Sequence, residues 1–527
     1  MGRNLLVGFL DAYCNMQDGG LLLAGKTKDE PAPGPLSSHD GGVAEAFWGR
    51  HDFYIMNLFP GRFISIYNVV YILPSFWGTP AASLVGSSGV REMSNFEGII
   101  EKACRDREIP GAVLAASDSS GNFHYAKAFG SRSLKDPSTT DHMPIDGVMW
   151  MASCTKLLTT IAAMQCVEKG QLNLDSDVCD VLPELKGLQI LTGFEEDSEK
   201  PILIDNHKTI TLSSVPPNAN QGKASTHSYI WTVVRCIQNK IWLTHISDPL
   251  LKRYRAATNN TPTSPAGSDA MVKERCLAPL LFSPGDSWEY SVGIDWAGQM
   301  VERVNNNMSL EDYIHKNICE PLNMRNFSFQ PAHHPEMMSR LVDMSQRDGG
   351  MTDYGTTANP EGKAVYQPKV LWNTDMKDCH GGGGGFGTPC EYLKCLQSIC
   401  SNDGRLLKPS TVEEMFKPQL SEASREGLMK RLSIPEVNQC LGAFPPDTKV
   451  DWGLGGILNV EDVDSRSKGS MAWGGFPNLH WWIDQKAGLC GIWGSQLNPP
   501  GDPKINELFH LFQEEMYKRA SVSRGKL

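Results

Sequence analysis

Met151-Ala152-Ser153-Cys154-Thr155-Lys156, followed by Leu157-Leu158-Thr159-Thr160-Ile161-Ala162-Ala163, decides how the rest of this chain is read. Leu157, Ile161, Met164 and Val167 recur at helical spacing and Gly170 closes the pattern, so a helix opens at Ser153. Lys156 then lies one turn along on the same face. A serine hydroxyl is a weak nucleophile near neutral pH and needs a base within hydrogen-bond reach. A partly desolvated amine can take that part, and the N–H groups at a helix start can stabilise an oxyanion. Ser-x-x-Lys alone recurs by chance, and a plain N-cap beside a solvated lysine is its ordinary meaning. Here the apolar helix that follows presses Lys156 against a core instead.

Outward from this helix, Phe96, Ile99, Ile100 and Ala103 repeat at helical spacing before Ile109-Pro110-Gly111 breaks the pattern. Ala112 to Ala116 and Phe123 to Phe129 read as strands about the turn Asp118 to Asn122. Far downstream, Leu479 to Ile483 and Leu489 to Trp493 form a second pair, and Leu508, Leu511, Phe512 and Met516 mark a final amphipathic helix. Helix and hairpin at one end, with hairpin and helix at the other, predict an α+β fold. One antiparallel sheet is built from both ends of the domain and flanked by helices, and the residues between form a mostly helical lobe. The site is expected where sheet meets lobe.

This domain is placed at 94–520, with 521–527 a tail. Residues 1–93 hold Pro/Gly/Ser-rich and aromatic-rich pieces without sustained periodicity and read as an irregular extension. Residues 213–242 are an atypical insertion, since they separate Ile210-Thr211-Leu212 from Leu243-Thr244-His245 without a pattern of their own.

A 527-residue chain, 40% hydrophobic and carrying a formal charge of -11, has material for a large core and no basic stripe for nucleic acid or anionic membrane. The partners expected are small molecules. The 14 cysteines are scattered without a Cys-x-x-Cys pair, which suits reduced thiols. Met1 to Leu10 lacks a clear cleavage site and the apolar run Phe63 to Trp77 is too short to span a bilayer, so a cytoplasmic protein is expected. His333-His334 lacks metal-site spacing; no metal and no cofactor are assigned.

Ala152 to Leu157, followed by Leu172-x-Leu174-Asp175, resembles the Ser-x-x-Lys helix of class C β-lactamases, penicillin-binding proteins and their esterase relatives. Within that superfamily the chain is most similar to the fungal transesterases that acylate polyketides, over about Phe96 to Tyr517. Trp288-Glu289-Tyr290-Ser291-Val292, after Phe282-Ser283-Pro284-Gly285, resembles the family's Tyr-x-Asn segment, with Val292 in place of the Asn. A phenol there can relay a proton. Trp473-Gly474-Gly475-Phe476 matches the position where β-lactamases carry Lys-Thr-Gly on the edge strand. Two glycines let a substrate come close to the backbone, and the Phe476 N–H can join that of Ser153 in an oxyanion hole. Trp473 removes the cation that would hold a β-lactam carboxylate and offers an apolar plate.

The resemblance also implies a pocket arginine at Arg275, fifteen residues before Tyr290, which by its sequence alone could equally be a surface charge on a helix. His380 with Gly381 to Gly385 reads as a pocket-edge loop. The implied function is a serine acyltransferase with Ser153 as nucleophile and Lys156 and Tyr290 handling its proton. It moves an acyl group from an ester or thioester, free or carrier-protein-bound, to a hydroxyl of a hydrophobic small molecule in secondary metabolism. Two alternatives stay open: an esterase or lactamase-like hydrolase, and a catalytically inactive binding protein on the same fold.

Overall fold

The computed structural model describes residues 95–136, 138, 141–212, 249–258 and 270–525, together with a few short strands outside these ranges. Three of those strands, Glu45–Gly49, Asp52–Met56 and Phe63–Ser65, pair antiparallel within the N-terminal ninety residues. A fourth, His227–Tyr229, pairs in parallel with Thr209–Thr211, so the insertion contributes one short strand. The rest of the expected extension and insertion lies outside the described residues.

The sheet is assembled from both ends of the domain. In chain order its strands are β1 (Gly111–Asp118), β2 (His124–Gly130), β3 (Val450–Trp452), β4 (Ile457–Asn459), β5 (Met471–Gly475), β6 (Leu479–Asp484) and β7 (Leu489–Gly494). Their spatial order is β3-β4-β5-β6-β7-β1-β2, antiparallel throughout. The joint between the two halves of the chain is the β7–β1 ladder, where Trp493 faces Leu114 and Ile492 faces Ala115.

Both faces of this sheet are covered, which explains why β1, β6 and β7 are buried along their whole length. One face packs Leu114, Trp482 and Trp493 against α1 (Phe96–Arg105) and the terminal helix Pro503–Arg524, which runs through most of the residues expected to form a tail. Phe96 of α1 stacks on Phe512 with ring centroids 6.2 Å apart. The other face packs Val113, Trp481 and Ile492 in one cluster with Leu157, Ile161 and Leu396. Those last three come from α2 (Thr155–Glu168) and a helix at Pro389–Ser401.

The helix read from the Ser153 region is not a surface helix with one apolar stripe. Every residue from Thr155 to Cys166 is buried, because α2 runs between the sheet and the helical lobe. Its polar side chains are satisfied inside: Thr159 Oγ1 donates to the Gly381 carbonyl at 2.8 Å, and Thr160 Oγ1 to that of Lys156 at 2.7 Å. Among the described residues, no helix is long and apolar enough to cross a membrane.

The terminal helix is pinned by a buried ion pair. Arg347 and Asp502 are 1% and 0% exposed and meet through two contacts of 2.7 Å, while Arg347 Nη1 donates to the Gly362 carbonyl at 2.6 Å. Asp502 also caps the helix, accepting from Ile505 N at 3.1 Å. Asp502→Ala leaves a guanidinium buried without its partner and is expected to cost about 3–5 kcal/mol of unfolding free energy, read by urea denaturation. An unchanged transition midpoint contradicts this account of how the C-terminal helix is held.

Candidate active site

The turn that presents Ser153 is tight. Ala152 adopts φ +48°, a left-handed conformation that costs a residue with a Cβ on the order of 1 kcal/mol and persists only where surrounding structure fixes it. Three anchors fix it. Met151 N donates to the Gly385 carbonyl at 2.9 Å, Gly385 N donates to Thr155 Oγ1 at 3.0 Å, and Tyr392 OH donates to the Cys154 carbonyl at 2.9 Å. Residues Ala152–Cys154 form one turn of 3-10 helix and α2 begins at Thr155, so the regular helix starts two residues later than its sequence pattern indicates.

Three expected groups converge here. Ser153 is 4% exposed and Lys156 8%. Lys156 Nζ lies 3.2 Å from Ser153 Oγ, and Tyr290 OH donates to the same oxygen at 2.6 Å. The amine also sits 4.8 Å from the centroid of the Tyr290 ring. Tyr290 comes from the segment between the short helix α3 (Val272–Cys276) and helix α4 (Gly293–Val304), and its neighbour Glu289 is anchored by Arg431 Nε at 2.7 Å. Its ring lies 5.2 Å from Trp473, which meets Trp452 edge-on at 4.7 Å; Trp452 in turn meets Trp288 at 5.4 Å. A wall of aromatic rings therefore flanks the hydroxyl.

Gly474, Gly475 and Phe476 line a cavity shared with Ser153, Tyr290 and Trp473. Strand β4 pairs only with Met471 and Ala472, so β5 beyond them is hydrogen-bonded on one side alone. The glycines have a packing reason besides substrate approach. A Cβ at Gly475 would stand 2.5 Å from the Met151 carbonyl oxygen, and one at Gly474 would stand 2.4 Å from that of Leu479. Only a bare backbone passes this close to the serine turn. The Phe476 ring is buried against Trp150, 5.9 Å away.

Arg275 is no surface charge. It lies in the short helix Val272–Cys276, is 7% exposed, and holds its guanidinium 4.7 Å from the Trp372 ring centroid. Trp372 stacks at 5.4 Å on Trp150, two residues before Ala152. Burial pushes the guanidinium pKa down, with Cys276 and Asp295 opposing the shift, and Nη1 makes no hydrogen bond within the described structure. Arg275 is not among the residues that line the cavity at Ser153.

The loop His380 to Gly385 reaches further into the site than its pocket-edge reading implied. The Gly382 carbonyl accepts a short hydrogen bond from Lys156 Nζ, and Gly382 N donates to Asp295 Oδ1 at 3.0 Å. Its glycines are there because helices crowd them: a Cβ at Gly382 would fall 2.2 Å from Asp295 Oδ2, and one at Gly385 2.8 Å from Thr155 Oγ1. Burial alone would raise the Asp295 pKa. Its contacts with His380, the nearby charge of Lys156 and the Gly382 N–H outweigh that and hold it below the usual carboxylate value. Asp295 carried no role in the sequence reading, and the loop was read only as a pocket edge. Among the described residues no cluster of three or more His, Cys, Asp or Glu could hold a metal ion.

The sheet, the Ser-x-x-Lys turn and the converging tyrosine together define a protein of the β-lactamase type. The Beta-lactamase family model matches residues 96–212 and 247–513, breaking at the insertion, and the chain belongs to that family. The monacolin J acid methylbutanoyltransferase of Aspergillus terreus is 34% identical over 427 residues, covering 80% of this chain and 94% of the relative. The ML-236A carboxylate methylbutanoyltransferase mlcH of Penicillium citrinum is 32% identical, covering 85% and 98%. The lovastatin esterase of Penicillium rubens is 35% identical, covering 80% and 97%. Unliganded simvastatin synthase (LovD) from Aspergillus terreus, as its selenomethionyl derivative, superposes with a TM-score of 0.69 at 32% identity over 80% of this chain and 97% of that one.

Gly382→Ala forces a methyl group into the Asp295 carboxylate and is expected to cost about 1–3 kcal/mol of stability, read as a lowered urea midpoint. A midpoint equal to the parent's contradicts the packing described for this loop.

Proposed function

We propose that this chain is a serine acyltransferase that moves an acyl group from an ester or thioester to a hydroxyl of a hydrophobic, polyketide-type small molecule in fungal secondary metabolism. The observation that carries the reading is the meeting of Lys156 Nζ and Tyr290 OH at Ser153 Oγ, 3.2 and 2.6 Å away. Ser153 Oγ attacks the donor carbonyl and forms the new C–O bond. Its proton passes into the Lys156–Tyr290 pair, which returns it to the departing thiol or alcohol. The N–H groups of Ser153 and Phe476 hold the oxyanion. In the second half the acceptor hydroxyl gives its proton to the same pair, attacks the acyl-enzyme and frees Ser153.

Transfer is favoured over hydrolysis by the wall of Trp288, Trp452 and Trp473, which suits a bulky apolar acceptor and excludes water. The names of the relatives include an acid and a carboxylate as acceptors. Arg275, buried with Nη1 unbonded within the described structure, suits an acceptor carboxylate of that kind. The donor is an acyl ester or thioester, the thioester free or held on a carrier protein.

Ser153→Ala is expected to abolish the acylation burst with an activated ester while the protein stays folded. Tyr290→Phe is expected to lower the acylation rate about 10²- to 10⁴-fold. With an alcohol acceptor present, the ester product is expected to exceed free acid. An unaltered burst in Ser153→Ala, or free acid alone whatever the acceptor, overturns the assignment.

A further inference from the structure

Lys156 touches the reacting serine, but the group that fixes its amine from below is a backbone carbonyl, and that carbonyl is itself held. Gly382 accepts from Lys156 Nζ, and its own N–H donates to Asp295 Oδ1 at 3.0 Å. On either side the loop is tied down: Gly381 O accepts from Thr159 Oγ1 at 2.8 Å, and Gly383 O from Trp150 Nε1 at 2.8 Å. Asp295 sits in the first turn of α4, 6% exposed, where the helix dipole favours a carboxylate.

His380 completes the arrangement. It is 2% exposed, its Nε2 lies 2.9 Å from the Ala270 carbonyl, and its Nδ1 lies 3.7 Å from Asp295 Oδ1. A carbonyl and a carboxylate can only accept, so both ring nitrogens face groups that call for a donor. The ring lies edge-on against Trp372, with centroids 5.7 Å apart. The titratable groups that act on Asp295 come from three elements: His380 from the loop, Lys156 from α2 and Arg275 from the helix Val272–Cys276. Lys156 for its part faces Ser153, Tyr290 and the Gly382 carbonyl. Neither Asp295 nor His380 lines the cavity at Ser153.

We infer that Asp295 and His380 form a buried positioning pair that holds the Gly382 carbonyl beneath the Lys156 amine. The inference rests on the acyl-transfer reading of Ser153 and deepens it. Asp295 and His380 act through Lys156 and touch no substrate. Misplacing the amine slows proton transfer without loosening substrate binding.

The test is the acylation rate constant and half-saturating concentration of an activated ester across pH, in the wild type, Asp295→Asn and His380→Gln. Asp295→Asn keeps the shape and an oxygen for Gly382 N while removing the charge. Its acylation rate constant is expected to fall about 100-fold with the half-saturating concentration within about twofold. His380→Gln, which keeps a donor for Ala270, is expected to lose about tenfold by the same route. Where Asp295→Asn fails to fold, judged by near-ultraviolet circular dichroism, His380→Gln carries the test. Folded variants with wild-type acylation rate constants overturn the inference. A wild type that never acylates at Ser153 overturns the acyltransferase reading instead.

Discussion

An amine taken out of water costs several kcal/mol unless hydrogen-bond partners meet it, and the site depends on how that cost is offset at Lys156. Its Nζ finds Ser153 Oγ, the Gly382 carbonyl and the face of the Tyr290 ring. These partners come from a helix start, a glycine loop and the lead-in to a second helix, each far from the others in sequence. Satisfying one buried amine therefore requires the lobe and the sheet domain to close on each other in one register. The same closure brings a hydroxyl, a phenol and an amine within proton-transfer distance.

The fold supplies that register from its ends. The β7–β1 ladder joins the last strands of the domain to the first, so β5, which carries Trp473, Gly474 and Gly475, is held at a fixed distance from α2. The close approach of Gly475 to the Met151 carbonyl is the point where sheet and serine turn meet. A side chain there would separate Ser153 from Phe476. Packing and chemistry make the same demand on these glycines, which is why their presence in the sequence did not reveal which demand applied.

Much of this was legible in the sequence. The strands around Ala112 and Leu479 were readable because both flanks of each are bounded by turn residues, and burial on both faces makes them nearly continuous apolar runs. The Ser153–Lys156 pair was readable because helical spacing fixes where a side chain one turn along must point. The rest was hidden for physical reasons. Ala152 at positive φ is a conformation alanine seldom adopts, so no propensity announces the tight turn. A run of five glycines reports conformational freedom without saying what will crowd it. Asp295 and Gly382 are 87 residues apart, and nothing local links a carboxylate to a loop at that range. Arg275 in a short helix reads the same whether it faces water or Trp372.

The central claim is covalent: an acyl group resides on one serine during turnover. The most direct measurement is intact-protein and peptide mass spectrometry of the enzyme quenched during reaction with an acyl thioester. The mass of one acyl group on the peptide containing Ser153 is the predicted result. Acylation confined to another residue, such as Cys440 in the same cavity, or turnover without any covalent species, would contradict it.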